Sequence, residues 1–249
     1  MSDKVMIVTG GSRGIGAATA KLAATRGYAV CVNYLSNRTA ADAVVEEITA
    51  AGGRAMAVKA DVSQEADVVE LFTIVDGRLG RLCALVNNAG ILERQIRVDG
   101  IDGGRLQRIL ATNVIGPFLC CREAVRRMSV RHGGLGGAIV NVSSAAARLG
   151  SPGEYVDYAA SKGAIDTLTL GLSREVAAEG IRVNGVRPGY IHTDIHASGG
   201  EPDRVERLRT SLPMQRGGQP IEVAQAIIWL LSPDAAYVNG AIIDAAGGT

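Results

Sequence analysis

TGGSRGIG, residues 9–16, is the stretch that decides the fold of this chain of 249 residues. It follows a short apolar run at residues 5–9 and leads into an alanine-rich stretch with helical periodicity. Gly10, Gly14 and Gly16 permit a tight turn and let the backbone approach a pyrophosphate, whose charge is favoured by the N terminus of the following helix. The first two glycines lie farther apart than in GxGxxG, but the strand–turn–helix context is the one that a dinucleotide-binding turn requires. We therefore predict nucleotide binding at this turn.

The rest of the chain continues this alternation of short β-branched runs and longer helical patterns. We predict strands at residues 5–9, 29–33, 54–58, 82–87, 138–143, 182–186 and 241–244. We predict helices at residues 17–26, 40–51, 64–78, 106–127, 158–179 and 221–231. Strands that alternate with helices form parallel βαβ units. The predicted fold is therefore α/β, a Rossmann-type doubly wound parallel sheet of about seven strands with helices on both faces.

The predicted domain organisation is a single domain over residues 1–249, because no linker, repeat or low-complexity tract interrupts the alternation. One irregular stretch, residues 190–219, is long and rich in glycine, proline and polar residues. Long loops in compact domains often close over a binding site. We predict that residues 190–219 form a lid over the substrate.

The charge of the chain argues against two classes of partner. The formal net charge is +1, and Lys and Arg are scattered along the sequence. Nucleic acids and membrane surfaces attract clustered positive charge, so we expect neither as a partner. The first residues lack the basic region and long apolar stretch of a secretory signal, which predicts a cytoplasmic protein. The four cysteines show no CxxC or zinc-ligand spacing and are expected to be free thiols.

Tyr158 and Lys162 form a pair with chemical potential. They lie four positions apart, so on a helix both side chains project from the same face. A nearby positive charge favours the phenolate and lowers the pKa of a tyrosine from about 10. Such a tyrosine exchanges a proton with a hydroxyl or carbonyl near neutral pH. The spacing alone is equally typical of a packed ring beside a solvated lysine stem.

Four motifs together carry a resemblance to a known family. They are TGxxxGxG at residues 9–16, Asn87-Asn88-Ala89-Gly90, YxxxK at residues 158–162 and Pro188-Gly189. In this order and spacing the chain resembles the short-chain dehydrogenases/reductases, compact subtype of about 250 residues, over nearly its whole length. It is similar to both 3-oxoacyl-carrier-protein reductase-like and glucose-dehydrogenase-like members. Because similarity in this family follows the cofactor, the resemblance does not name the substrate.

The resemblance implies a catalytic set of four residues. Tyr158 matches the general acid/base, and Lys162 matches the lysine that lowers its pKa and holds the nicotinamide ribose. Ser144 matches the serine that hydrogen-bonds the substrate oxygen, with Ser143 as the competing candidate. Asn113 matches the asparagine that distorts its helix and holds a proton-relay water, although by itself it reads as an ordinary polar helix residue.

The resemblance also implies a set of cofactor contacts and favours NADP(H) over NAD(H). No acidic residue ends the second strand, where Asn33 stands, and Arg13 or Arg38 can pair with a ribose 2′-phosphate. Asp61 and Val62 match the adenine contact, whereas Ile191 and Thr193 match the contacts of the nicotinamide amide. The full predicted set is Gly10, Ser12, Arg13, Gly14, Ile15, Gly16, Asn33, Arg38, Asp61, Val62, Asn87, Ala89, Gly90, Tyr158, Lys162, Pro188, Gly189, Ile191 and Thr193.

The predicted function is an NADP(H)-dependent oxidoreductase that interconverts a ketone and a secondary alcohol on a small-molecule substrate. Sugars or polyols and 3-oxoacyl thioesters remain as competing substrate classes. Carrier-protein reductases of the family present a basic residue where this chain has Glu179, which disfavours the thioester, although Arg131 offers another basic side chain. A non-catalytic NADP-binding sensor is the alternative from another class; such proteins lose the tyrosine or the lysine, and both are present here.

Two further predictions concern metals and self-association. His192, Asp194 and His196 lie close in sequence but within the predicted lid, so we predict no metal site. The stretches 106–127 and 165–178 have apolar faces of the kind that family members use to pair subunits. The resemblance therefore implies a homotetramer or a dimer.

Overall fold

The strands within the described residues, 4–249, form one parallel sheet in this computed structural model. Residues 1–3, which the predicted domain included, lie outside the described residues. The strands are β1 Lys4–Val8, β2 Tyr28–Tyr34, β3 Arg54–Lys59, β4 Leu82–Asn87, β5 Gly137–Val142, β6 Ile181–Pro188 and β7 Ile242–Ala245. Their order across the sheet is β3-β2-β1-β4-β5-β6-β7, and every neighbouring pair is parallel. The order reverses beside β1, as in a doubly wound fold.

The helices cover both faces of this sheet, which confirms the predicted fold class. They are α1 Gly14–Thr25, α2 Arg38–Ala50, α3 Glu65–Arg78, α4 Gly103–Leu110, α5 Gly116–Met128, α6 Ala146–Leu149, α7 Val156–Glu175, α8 Ile195–Ser198, α9 Arg204–Leu208 and α10 Pro220–Leu231. Successive residues of a strand point to opposite faces. Accordingly, Ile7 of β1 packs in the core with α3, α5 and α7, whereas Met6 packs in the core with α1, α2 and α10.

The helix predicted over residues 106–127 is wrong as a continuous α-helix. α4 ends at Leu110, and a π-helical turn, Ala111–Ile115, separates it from α5. Pro117 lacks the N–H that an uninterrupted helix would use there. Gly116 packs so closely on Val62 that a Cβ would lie 2.9 Å from the Val62 Cγ2 atom. The interruption brings the chain against β3 and its following loop.

The structure also differs from the sequence predictions in two further stretches, residues 158–179 and 190–219. The helix predicted over residues 158–179 ends at Glu175 and is followed by a 3₁₀ turn, Ala177–Glu179, because Gly180 takes a left-handed conformation with φ of 79°. The stretch 190–219, predicted to be irregular, contains the short helices α8 and α9. All four cysteines are free, as expected.

Candidate active site

The candidate site is a cleft of about 480 Å³ at the carboxyl ends of the strands. Its walls come from the glycine-rich turn after β1, the segments after β4 and β5, the first turns of α7, and the 190–219 stretch. The carboxyl edge of a doubly wound sheet, beside the point where strand order reverses, is where such folds bind ligands. The sheet therefore brings the two halves of the predicted site, glycine turn and Tyr158, into one cavity.

The glycine-rich turn is fastened to the segment after β4. The Asn88 side-chain amide donates to the carbonyls of Thr9 and Gly10 at 2.9 and 3.0 Å. The Thr9 hydroxyl in turn accepts from the backbone N–H groups of Asn88 and Ala89, both at 3.0 Å. A Cβ on Gly16 would lie 2.4 Å from the Gly10 carbonyl oxygen, so only glycine fits. These contacts hold the turn in shape before any ligand arrives.

Asn33 braces the same turn from the other side. Its buried side chain accepts from the Gly10 N–H at 3.2 Å and donates to the Ala60 carbonyl at 3.0 Å. An amide can do both because it carries a donor and an acceptor, whereas an ionised carboxylate only accepts. Asn33 thus links the ends of β1, β2 and β3, and it also lines the cleft.

Most of the predicted cofactor residues line the cleft. The lining members are Gly10, Ser12, Arg13, Gly14, Ile15, Asn33, Asp61, Val62, Ala89, Gly90, Tyr158, Lys162, Pro188, Gly189, Ile191 and Thr193. Gly16, Arg38 and Asn87 are not among the lining residues. Gly16 serves the packing of the turn, and the buried Asn87 amide donates to Asn141 at 2.9 Å.

The two candidate arginines differ in their surroundings. Arg13 is exposed at the mouth of the cleft and lines it. Arg38 lies on the first turn of α2, where its guanidinium pairs with the Asp42 carboxylate at 3.2 Å on the outer surface. The structure therefore places Arg13, and not Arg38, in the lining of the cleft beside the glycine-rich turn.

Tyr158, Ser144 and Lys162 come together where β5 ends and α7 begins. Both Tyr158 and Ser144 line the cleft, and the Ser144 side chain is near enough to lower the pKa of Tyr158. The Lys162 ammonium lies 5.6 Å from the centroid of the Tyr158 ring and donates to the Val142 carbonyl at 2.8 Å. Ser143, the competing serine, donates its hydroxyl to the Lys162 carbonyl at 3.1 Å. Ser144 is thus the serine that affects the pKa of Tyr158, whereas the Ser143 hydroxyl is bonded to the backbone of α7.

The protonation of this pair differs from the prediction. Burial raises the pKa of Tyr158 to about 12, and the nearby Ser144 side chain opposes that rise. Burial lowers the pKa of Lys162 to about 8, while the nearby Asp166 favours the ammonium. Both shifts have one cause, because a low-dielectric site disfavours the charged form of each group. The expected lowering of the tyrosine pKa by Lys162 is therefore not what the cofactor-free chain shows.

Asn113 lies in the π-helical turn and is fully buried. Its side chain accepts from the Ile91 N–H at 2.8 Å and donates to the Ile91 carbonyl at 3.0 Å. It also donates to the Ser161 hydroxyl on α7 at 3.1 Å. The asparagine therefore ties the segment after β4 to the helix that carries Tyr158.

A buried ion pair holds the start of α7. Arg105 donates to both oxygens of Asp157, at 2.6 and 3.2 Å, and the two side chains are 8% and 1% exposed. The Asp157 side chain also accepts from the Tyr158 N–H at 2.9 Å. Its negative charge is favoured there, because it lies in the first turn of α7. Arg105 further donates to the Arg94 carbonyl at 2.6 Å. The residue before the tyrosine is thus fixed on two sides.

Sequence reasoning missed the residues of the substrate end. Tyr155, His196 and Arg204 line the cleft, and no local motif marks them. Nδ1 of His196 is buried without a hydrogen-bond partner, and burial lowers the pKa of this imidazole. A tyrosine without a lysine four positions later gives no catalytic signal, and Arg204 meets its partners only through the fold.

Within residues 4–249, no cluster of His, Cys, Asp and Glu side chains has the arrangement to hold a metal ion. In that range no helix combines the length and the apolar character needed to cross a bilayer.

Similarity to known proteins agrees with this geometry. A family model described as enoyl-(acyl carrier protein) reductase matches residues 10–249. A solved short chain dehydrogenase from Burkholderia cenocepacia J2315, in complex with NADP, superimposes with a TM-score of 0.90 at 34% identity, covering 99% of this chain and 98% of that one. The chain belongs to the short-chain dehydrogenase/reductase family. It is accordingly an oxidoreductase of the kind that uses a nicotinamide cofactor.

Two relatives show how broad this short-chain dehydrogenase/reductase group is. The uncharacterized oxidoreductase YgfF of Escherichia coli (strain K12) is 64% identical over 98% of this chain and 99% of the relative. A 3-oxoacyl-[acyl-carrier-protein] reductase of Synechocystis sp. is 39% identical over 100% of this chain and 97% of the relative. Both alignments cover nearly the whole of this chain and nearly the whole of the relative.

Proposed function

We propose that this protein interconverts ketones and secondary alcohols of small molecules with NADP(H), using Tyr158 as the acid/base. The observation that carries the proposal is that Tyr158, Ser144 and Lys162 line the same cleft as the glycine-rich turn. Two adjacent hydroxyls provide one group to transfer a proton and a second to hold the oxygen that receives it. A bound nicotinamide would exchange the hydride.

The chain's own residues divide the remaining work. Ser144 accepts from the Ala146 N–H at 3.1 Å, which fixes the position of its oxygen in the wall of the cleft. The Lys162 ammonium lies 5.6 Å from the centroid of the Tyr158 ring, where it would stabilise a phenolate formed during turnover. A Cβ on Gly90 would lie 3.5 Å from both the Asn113 Oδ1 and the Lys162 Nζ atoms. Both polar atoms therefore lie close to Gly90, which is compatible with the proposed relay of protons between Asn113 and Lys162.

The residues of the nucleotide end fit a dinucleotide. Gly10 and Gly14 have φ values of 59° and 53°, a left-handed backbone conformation that residues other than glycine rarely adopt. The turn thereby presents bare backbone at the N terminus of α1, where a pyrophosphate is favoured. Asp61 and Val62 line the end of the cleft assigned to the adenine, and Thr193 lines the end assigned to the nicotinamide amide.

The test of this function is a substrate panel. Neutral ketones, sugars or polyols, and 3-oxoacyl thioesters are each offered with NADPH or NADP, and the absorbance of the reduced nicotinamide is followed. Turnover of at least one carbonyl or alcohol compound is expected. If the pure protein binds NADPH and turns over none of the three classes, the proposal is wrong.

The 3-oxoacyl thioester remains the second candidate, because relatives carry that activity in their names. Glu179, which disfavoured this reading, is buried and accepts from the Ser129 hydroxyl at 2.5 Å. It also pairs with the exposed Arg131 at 3.1 Å. Since the carboxylate is enclosed, it does not present negative charge to an acidic carrier. A higher kcat/KM for a carrier-bound thioester than for its free analogue would favour this candidate.

Arg13 is proposed to select NADP(H) over NAD(H). Arg13→Glu should lower kcat/KM for NADPH by about 10- to 100-fold relative to NADH, because a charge-assisted hydrogen bond to the 2′-phosphate is replaced by repulsion. Arg38→Glu is the matched comparison, since Arg38 pairs with Asp42 outside the cleft. Steady-state kinetics with both cofactors measure the ratio. A larger change in Arg38→Glu than in Arg13→Glu would reverse the assignment.

Self-association through α4 and α5 is a further expectation. Leu106, Leu110 and Phe118 are exposed large apolar side chains on these helices. Burial of such surface favours association by roughly 25 cal/mol per Å². Light scattering should give a dimer or tetramer of the 25.8 kDa chain, and Phe118→Glu should reduce that mass. A monomer of the native protein at micromolar concentration would contradict the expectation.

A further inference from the structure

Arg204 is a buried cation in the wall of the substrate end. It lies on α9, its residue is 6% exposed, and it lines the cleft together with Tyr155 and Tyr190. A buried guanidinium in an enzyme cleft is a natural partner for an anionic substrate. Whether Arg204 can act in that way depends on what already surrounds it.

The guanidinium of Arg204 is already occupied at its edge and at its faces. One terminal nitrogen donates to the Glu201 carboxylate and the other donates to the Glu154 carboxylate. Its central carbon lies 5.2 Å from the centroid of the Tyr155 ring and 5.6 Å from that of Tyr190. Two carboxylates and two aromatic rings therefore surround one positive charge.

Glu201 and Glu154 are themselves held in place. Glu201 also accepts from the Gln95 amide at 2.6 Å and pairs with Arg207 at 2.7 Å. Glu154 lies on the segment that precedes α7, where its backbone carbonyl accepts from the Ile96 N–H at 3.0 Å. Both carboxylates are thus carried by segments that other contacts hold beside Arg204.

The remaining cations of the cleft do not serve this end. Of the residues described as lining it, Arg13, Lys162 and Arg204 carry basic side chains. Arg13 lies at the nucleotide end, and Lys162 donates to the Val142 carbonyl below Tyr158. Burial lowers the pKa of His196, so its imidazole is neutral near pH 7. Burying a substrate carboxylate without an available cation is costly.

We propose that Glu154 and Glu201 determine substrate class by neutralising Arg204, so that the enzyme prefers carbonyl compounds that are uncharged around the reacting carbon. This inference rests on the proposed carbonyl-reducing function. The favoured class consists of neutral ketones, hydroxyketones and oxo esters, and the disfavoured class consists of oxo acids. Removing one of the two carboxylates should convert Arg204 into a binding group for an oxo acid.

The test compares oxo acids with their methyl esters, which have the same carbon skeleton and lack the charge. Pyruvate, acetoacetate and 4-oxopentanoate, each beside its methyl ester, probe three distances between carboxylate and carbonyl. The native enzyme should give the higher kcat/KM with the ester. In Glu201→Gln and Glu154→Gln the acid-to-ester ratio of kcat/KM should rise by about tenfold or more for at least one chain length, because a charge-assisted hydrogen bond becomes available.

Glu206→Gln is the matched control. Glu206 lies on α9 like Arg204 and is exposed, and it faces Arg209 and His192 rather than Arg204. The substitution changes the charge of the same helix by the same amount, so the ratio should stay as in the native enzyme. Arg204→Met combined with Glu201→Gln should abolish the gain. Melting temperature and NADPH binding confirm that each variant is folded.

Two outcomes separate this inference from the function on which it rests. The inference alone would be overturned if the native enzyme reduced the ketone of the oxo esters but neither Glu201→Gln nor Glu154→Gln changed the acid-to-ester ratio of kcat/KM. An equal rise in Glu206→Gln would do the same, because it would assign the effect to overall charge. A native enzyme that reduces neither acids nor esters nor any member of the substrate panel would overturn the proposed function and this inference with it.

Discussion

Tyr158→Phe should lower kcat by about 10²- to 10⁴-fold, the range that a positioned general acid/base contributes. The phenylalanine ring keeps the packing of the tyrosine and removes only its hydroxyl from the cleft. NADPH binding, followed by the fluorescence of the reduced nicotinamide, should change little, since the glycine-rich turn is held by Asn88 and Asn33 and not by Tyr158. Steady-state kinetics in both directions measure the loss.

The pH dependence of the native enzyme supplies a second readout. Burial raises the pKa of Tyr158 to about 12, so the phenol is protonated through the neutral range. Reduction uses the phenol as an acid and should therefore be insensitive to pH near 7. Oxidation of an alcohol uses the phenolate as a base and should accelerate as the pH rises toward the tyrosine pKa. The residual activity of Tyr158→Phe should lack this rise.

Tyr155→Phe is the comparison for the same cleft. Tyr155 is buried, and its hydroxyl makes a long contact of 3.5 Å with the Gly199 carbonyl. Removing that hydroxyl should lower kcat far less than removing the one on Tyr158. If Tyr158→Phe retained native turnover, or if Tyr155→Phe lost as much, the assignment of the acid/base to Tyr158 would fail.

The fold was predictable because its signals are local and repeated. Alternation along β1 sends Met6 and Ile7 to opposite faces, and each βα unit repeats that pattern with a helix of its own. The π-helical turn at Ala111–Ile115 left no trace in the periodicity, and only the resemblance at Asn113 implied a distorted helix there. Asn113 and Gly116 contact Ile91 and Val62, which are distant in sequence. Helical periodicity continued across the interruption and concealed it.

The candidate site was predictable only where a motif fixes both identity and spacing. Gly10, Tyr158 and Lys162 were predicted from such motifs, and in the structure they line one cleft together with Ser144. Gly16 and Asn87 belong to motifs as well, but the structure uses Gly16 for close packing and Asn87 for a hydrogen bond to Asn141. A motif reports that a residue is needed, and it does not report whether a ligand or the fold needs it.

The substrate end was unpredictable for a different physical reason. Glu154, Arg204 and Glu201 meet because the 190–219 stretch folds back onto the segment before α7. The sequence separation between Glu154 and Arg204 leaves no periodic trace. The protonation of Tyr158 and Lys162 was missed on related grounds, since spacing reveals the neighbouring charge and only the fold reveals the desolvation.

Lys162→Met should make the cofactor-free protein more stable while lowering kcat by about 10²-fold or more. The Lys162 side chain is buried, and its residue is 4% exposed. Burial lowers its pKa from 10.5 to about 8, which corresponds to a cost of up to about 3 kcal/mol for keeping the ammonium inside the fold. The hydrogen bond to the Val142 carbonyl returns about 1 kcal/mol. We expect a net gain of about 1–2 kcal/mol at pH 7, or a rise in Tm of about 2–8 °C.

The sign of the pH dependence distinguishes this cause from better packing. Below pH 8 the lysine is protonated in both the folded and the unfolded chain, so the full cost of burial is present. Between about pH 8 and 10.5 the folded protein releases the proton while the unfolded chain retains it, so the cost fades as the pH rises. The stability advantage of Lys162→Met over the native protein should therefore shrink across that window.

Lys21→Met provides the control for loss of a surface charge. The Lys21 side chain is 40% exposed and pairs with Glu47, so its removal should neither raise Tm nor produce the same pH dependence. Chemical denaturation without cofactor, at several pH values from 7 to 10, gives the free energies of unfolding. A Lys162→Met protein less stable than the native one at pH 7, or an advantage that does not decline above pH 8, would show that the buried ammonium is not a source of instability. If the stability advantage of Lys162→Met shrinks above pH 8 and the variant also loses turnover, Lys162 is a residue that serves the chemistry at the expense of stability.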